Sequence, residues 1–156
     1  IVTRTTTSGV ATAVLTSQTT AGTAIITATA DSKYHTTRVV IIPDPPYTVT
    51  LTADPVAIPA NGVSTSRIEA RVADRYGNPV ADGTMVAFTT DLGTFDGSSS
   101  VVRFTTGGLA TAILTSGKTD GLATVTATCQ GREGQTRVFF YRYAFHIHLP
   151  IIFKAY

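Results

Sequence analysis

The chain of 156 residues has no tryptophan, one methionine and one cysteine. A lone Cys129 excludes a disulfide framework within the chain, so packing and hydrogen bonds must hold any folded unit together. Charge is sparse as well, with 12 Lys and Arg against 10 Asp and Glu and a formal net charge of +2. The basic residues are scattered singly, which argues against nucleic acid or an anionic membrane surface as partners. No apolar run approaches the ~18 to 20 residues of a membrane-spanning helix, so no membrane span is expected. Equally missing are a Gly-x-Ser-x-Gly elbow, a His-Glu-x-x-His pair and a phosphate-cradling glycine loop, and His35 has no nucleophile beside it in sequence. No enzyme activity, catalytic residue or cofactor is therefore expected. No signal-peptide pattern is read at the start, and a chain that begins at Ile1 rather than Met is expected to be processed or a fragment.

What the chain does contain is threonine, about one residue in five, with Val, Ile and Ala filling much of the remainder. This is the makeup of pleated strands with a polar outer face, and the expected fold class is all-β. β-propensity is enough to account for the threonines; a dense hydroxyl face could also accept O-linked sugar, and glycosylation is kept as the lesser reading.

The chain repeats itself. Thr37-Arg38-Val39 returns as Thr136-Arg137-Val138, Thr27-Ala28-Thr29 as Thr126-Ala127-Thr128, and Leu15-Thr16-Ser17 as Leu114-Thr115-Ser116. The offset is 99 throughout (136 − 37), the spacing of tandem sandwich modules of about 100 residues. Residues 1–42 thus read as the C-terminal half of one repeat, 47–141 as a complete copy, and 43–46 as the link. The counterpart of Tyr47 to Ser99 is not present ahead of Ile1, so upstream sequence or a neighbouring molecule is expected to cover the half repeat.

In the complete copy, strands are expected at 47–51, 66–72, 84–88, 100–106, 109–115, 121–129 and 135–141. Between them lie turn residues: Asp54-Pro55 to Asn61-Gly62, Asp74 to Pro79, Gly107-Gly108, Gly117 to Asp120 and Gly131 to Gly134. Gly77 suits positive φ, and Pro79 has no amide to give a ladder. Seven or more short strands at this spacing describe a β-sandwich. Alternation and the repeat match place Ile68, Ala70, Val72, Val86, Phe88, Ile113, Val125 and Ala127 in its core. Cys129 aligns with Ala30, a small residue, and is expected to be a buried, inert thiol.

Five separated motifs occur in order: Val72 to Val80 (Val-Ala-Asp-Arg-Tyr-Gly-Asn-Pro-Val), Gly83 to Phe88, Leu92 to Phe95, Gly108 to Ala112, and Gly121 to Ala127. Together they resemble the bacterial immunoglobulin-like repeats of the invasin and intimin group. The likeness covers 47–140 fully and 1–42 as a back half. It implies immunoglobulin-like β-sandwich tandem repeats, an extracellular or cell-surface location, and a role as stalk, adhesin or wall component. It supplies no catalytic site.

Three prolines in Pro43-Asp44-Pro45-Pro46 are expected to make a rigid linker. At the other end, residues 142–156 form a tail in which Tyr143, Phe145, Ile147, Leu149, Ile151 and Phe153 make an apolar comb of period two. Phe145 to Leu149 imitates Tyr47 to Leu51, as though a further module began. The leading expectation is that these six residues form an assembly interface. The tail strand would enter the sandwich of a neighbouring molecule by strand donation and build a head-to-tail homopolymer, a surface filament or sheath. Self-packing of the tail and a sorting role remain open, with Pro150 counting against a central strand. The alternative function is a stalk segment of an invasin-like adhesin, with a cell-surface or host receptor or glycan as eventual partner.

His146 and His148 would share one face of such a strand, but no Cys, Asp or Glu joins them, and no metal site is expected. Asp74, Asp82, Asp91 and Asp96 flank loops at spacings that fit no EF-hand, and are read as solvated turn residues.

Overall fold

The structure, a computed structural model, describes residues 1–142. The tail comb Tyr143, Phe145, Ile147, Leu149, Ile151 and Phe153, together with His146 and His148, lies outside the described residues. The described residues contain eleven strands and no helix. β1 (Gly22–Ala30) and β2 (Lys33–Ile41) pair antiparallel as a two-stranded hairpin. The other nine form two facing sheets. One has the order β4 (Ala57–Pro59), β11 (Arg132–Tyr141), β10 (Gly121–Cys129), β6 (Met85–Thr90) and β8 (Ser100–Phe104). The second has the order β3 (Thr48–Asp54), β5 (Thr65–Ala73), β9 (Leu109–Thr115) and β7 (Thr94–Phe95). This is an immunoglobulin-like sandwich, as the sequence implied.

Alternation along the strands builds the core between the sheets. On β10, Ala123, Val125, Ala127 and Cys129 point inward, while Thr124, Thr126 and Thr128 take the outer face. Between neighbouring strands the bulky inward residues stand beside alanines. Ile68 stands opposite Ala112 and Ala70 opposite Ala110 in the β5–β9 register, and Phe88 stands opposite Ala127 between β6 and β10. Phe88 meets Phe95 edge to face at 6.2 Å, tying the two sheets together at the centre. The buried hydroxyls are paired: Ser66 Oγ donates to the Pro55 carbonyl at 2.8 Å and Thr105 Oγ1 to the Ala81 carbonyl at 2.8 Å. No buried side-chain nitrogen or oxygen among the described residues lacks a partner.

Seven of the eight expected core residues are fully buried. The exception is Ile113, which is 44% exposed. β9 turns Ala110, Ala112 and Leu114 inward, so Ile113 falls on the outer face opposite Arg67. The parity assigned to β9 was wrong, and Ala112 and Ala110 are the residues that stand beside Ile68 and Ala70 in the core. Two strands were also missed. β4 follows Pro55, has three residues, and pairs parallel with Phe139 to Tyr141, a long-range partner that no local pattern announces. β7 has two residues and exists only through its pairing with β9. The expected strand at 135–141 starts earlier, at Arg132, because the hairpin turn is tight at Gln130 and Gly131.

Gly134 and Gly108 are among the glycines required by space. At Gly134, a Cβ would fall onto the Val49 carbonyl of β3, where the edges of the two sheets approach each other. At Gly108, φ is +76° and a Cβ would lie 2.8 Å from Pro79 Cβ, so the 107–108 turn fits directly beneath the 74–79 loop.

The β1–β2 hairpin copies β10–β11 in detail. Gly22 pairs with Ile41 as Gly121 pairs with Phe140, and Ala30 pairs with Lys33 as Cys129 pairs with Arg132. Asp31 and Gln130, at the two hairpin turns, both have positive φ, 51° and 46°. The bridge from Thr7 to Val10 likewise recurs from Thr106 to Leu109.

Candidate functional site

The most developed polar site joins the hairpin to the sandwich. Its centre is the loop that follows β5. Asp74 is 2% exposed and its carboxylate accepts four hydrogen bonds. Oδ1 takes the amides of Tyr76 (2.8 Å) and Asn78 (2.9 Å); Oδ2 takes the Asn78 side-chain amide (2.8 Å) and the Asp44 backbone amide (3.1 Å). The Asp74 amide closes the loop onto the Asn78 carbonyl at 2.9 Å, and Gly77 has the positive φ, 83°, that the sequence anticipated. Burial alone raises the Asp74 carboxyl pKa, but the hydrogen bonds from Asn78, Asp44 and Tyr76 outweigh it and hold the group below the ordinary aspartate value.

Held in this way, Asn78 faces the preceding segment. Its Oδ1 accepts from the Ala21 amide at 3.0 Å, and its Nδ2 donates to the Thr19 carbonyl at 2.6 Å. A side-chain amide thus bridges a backbone carbonyl and a backbone amide two residues apart, just ahead of β1. Asp44 completes the junction. Its amide is held by Asp74, and its carboxylate receives Arg75 Nε at 3.0 Å and Nη2 at 2.8 Å. That side-chain pair is exposed and contributes orientation more than energy. Arg75 also lies over the Tyr76 ring at 5.4 Å, and Arg132 lies over Tyr47 at 5.0 Å where the link enters β3. The cleft between the partners, about 100 Å³, is lined by Thr19, Ala21, Ile42, Asp44, Asp74 and Asn78.

The expected solvated aspartates divide here. Asp82 accepts from the Gly107 amide at 2.6 Å, Asp91 from the Thr124 amide at 2.7 Å, and Asp96 pairs with Arg103 at 2.7 Å. All three are turn residues at the surface, whereas Asp74 is a buried hub. The four are dispersed among separate loops, and no group of three or more His, Cys, Asp or Glu able to hold a metal occurs among the described residues. Cys129 is buried in β10, and burial pushes its thiol pKa up, as expected of an inert cysteine. No described helix is long and apolar enough to cross a membrane.

The junction residues Asp74, Asn78 and Asp44 were not singled out as a set from sequence. A signal was present: Asp74 and Asn78 stand four apart around Gly77, the spacing at which an aspartate folds a loop onto itself through its own side chain. Their partners Thr19 and Ala21 contribute only backbone atoms, which no residue type reveals.

The family model for invasin, domain 3, matches residues 46–141, more than half of the chain. Among solved structures, the adhesin InvE of Yersinia pseudotuberculosis is 37% identical, covering 60% of this chain and 27% of that one, with a TM-score of 0.51. Invasin, described as a bacterial integrin-binding protein, is 30% identical over 79% of this chain and 25% of its own, with a TM-score of 0.56. A C-terminal fragment of intimin, in complex with the intimin-binding domain of the translocated intimin receptor, is 26% identical. That match covers 62% of this chain and 34% of the fragment, with a TM-score of 0.51. The chain therefore spans about a quarter to a third of the length of these structures. No curated relative matches it.

Proposed function

This chain belongs to the invasin domain 3 family, and from that premise we propose that it is a rigid segment of the stalk of a cell-surface adhesin. Its task is to hold a distance and an angle, so that another part of a longer protein meets a receptor on a host cell. Invasin is described as integrin-binding, and the intimin fragment is in complex with its receptor's intimin-binding domain. By analogy the eventual partner is a host surface protein.

The observation that carries this reading is the junction built by Asp74, Asn78 and Asp44. A flexible tether would leave successive units free to swivel. Here one loop of the sandwich grips the link and the segment ahead of β1 through directional bonds. The two Asn78 bonds alone are worth about 1 to 3 kcal/mol together, enough to favour one orientation over free rotation.

A second reading rests on the alternation of Tyr143, Phe145, Ile147, Leu149, Ile151 and Phe153, which suits strand donation between molecules and a homopolymer. Sedimentation and electron microscopy of the protein, intact and after removal of residues 143–156, separate the two. The stalk reading expects monomeric rods in both cases. Filaments that vanish with the tail would overturn it in favour of assembly.

A further inference from the structure

We infer that the far end of the sandwich is a second docking socket of the same kind, and that Arg142 occupies it in place of the asparagine of a following sandwich. The inference deepens the stalk reading and rests on it, since it names what the next contact along the rod would be.

At the first junction the socket consists of two backbone groups ahead of β1, the Thr19 carbonyl and the Ala21 amide, and Asn78 fills both. Adding the offset of 99 to residues 19 and 21 leads to Lys118 and Asp120, ahead of β10. The strands open alike: Gly22 and Gly121, the first residues of β1 and β10, have φ of 154° and 157°. The two hairpin registers close alike, with Gly22 opposite Ile41 and Gly121 opposite Phe140. Because the socket is made of backbone, the change from Thr19 to Lys118 and from Ala21 to Asp120 does not remove it.

What differs is the residue that comes next. The counterpart of Pro43 is Arg142. Proline has no donor and a short ring, so the Thr19 carbonyl stays open for Asn78. Arginine has five donors on a long stem. Arg142 Nη2 donates to the Lys118 carbonyl at 2.8 Å, and its Nε lies 3.5 Å from Asp120 Oδ1. The same carbonyl that takes an asparagine amide at one end is thus taken by a guanidinium at the other. The occupant that fits the socket once it is open is a loop of the Asp74 to Asn78 type on a further sandwich of this kind. Position 142 is then the residue that decides whether a following unit is gripped or merely tethered.

The test uses two lengthened chains. In the first, residues 142–156 are replaced by a further copy of residues 43–142, which restores proline at the junction. In the second, residues 143–156 are replaced by a copy of residues 44–142, which keeps Arg142. Hydrogen exchange is read at the Asp120 amide, with the Ala21 amide as internal standard. The proline form should slow Asp120 by about tenfold or more relative to the arginine form, towards the rate of Ala21. Asn78→Ala in the added copy should abolish that protection. Asn78→Ser, whose side chain is too short to reach either backbone group, should also speed exchange and serves if the alanine variant does not fold. Equal Asp120 exchange in the two lengthened chains overturns the inference. Asn78→Ala in the original copy must separately speed Ala21; if it does not, the stalk reading itself fails, and if it does while Asp120 is unmoved, only the second socket falls.

Discussion

The β1–β2 and β10–β11 hairpins share sequence, register and turn geometry, yet one is a core and the other is not. Val138 is fully buried, while its counterpart Val39 is 39% exposed. Ala127 and Cys129 are buried between the two sheets, while their counterparts Ala28 and Ala30 are open. Alternation therefore makes a face, and only a second sheet makes that face a core. The clearest witness is the pair Gly134 and His35. Against β3 there is no room for even a methyl group at position 134; on the uncovered hairpin the same position holds an exposed histidine. The covered hairpin must satisfy packing, and the uncovered one only pairing.

That contrast is open to attack by substitution. Phe88→Ala, at the centre of the sandwich, should cost about 3 to 5 kcal/mol in urea unfolding, whereas Val40→Ala on the exposed hairpin should stay within about 0.5 kcal/mol. A loss below about 1 kcal/mol at Phe88 would mean that the assigned face is not the core. Next in size, Gly134→Ala should lower stability by about 1 to 3 kcal/mol because β3 has to move, while His35→Ala should be near neutral. Equal effects at the two positions would remove the distinction between the hairpins. Asn78→Ala should leave the sandwich's own unfolding within about 1 kcal/mol of the parent while freeing the hairpin to reorient, which ¹⁵N relaxation of the amides from Gly22 to Ile41 reads directly.

The smallest effect concerns pH. The Asp74 carboxyl lies below its ordinary value, so the ionised form is the one that the folded junction favours. Its contribution is therefore complete above the unfolded aspartate value of about 3.9 and is lost as pH falls through the lower folded value. Hairpin and sandwich should tumble together at neutral and mildly acidic pH and begin to uncouple only below about pH 4. Asp74→Asn should erase that dependence, and a coupling that already changes between pH 5 and 7 would assign it to another group.

Much of this architecture was legible beforehand, because a repeat of fixed offset combined with period-two alternation constrains both strand positions and faces. β9 and β10 fall on 109–115 and 121–129 as the turn residues indicate. What escaped depends on partners distant in sequence. β4 is a strand only because Phe139 to Tyr141 runs beside it, and Ile113 faces outward only because Ala112 and Leu114 fit the opposite sheet better. The junction was half visible. Pro43 to Pro46 marked where the link lies, but Asp74 was read as one more solvated turn aspartate, since nothing local distinguishes a carboxylate that will be roofed by its own loop. The partners of Asn78 are a carbonyl and an amide, so side-chain chemistry alone gave no hint of them. The residues of the tail comb, by contrast, are conspicuous in sequence and lie outside the described residues.

The central claim is that hairpin and sandwich share one orientation, fixed by the 74–78 loop. Residual dipolar couplings of the intact chain in a weakly aligned medium test it most directly. If the account holds, one alignment tensor fits the amides of Gly22 to Ile41 and those of Thr48 to Tyr141, and Asn78→Ala splits the fit in two. A hairpin tensor already reduced in magnitude in the parent chain would contradict it, and would make the junction a tether.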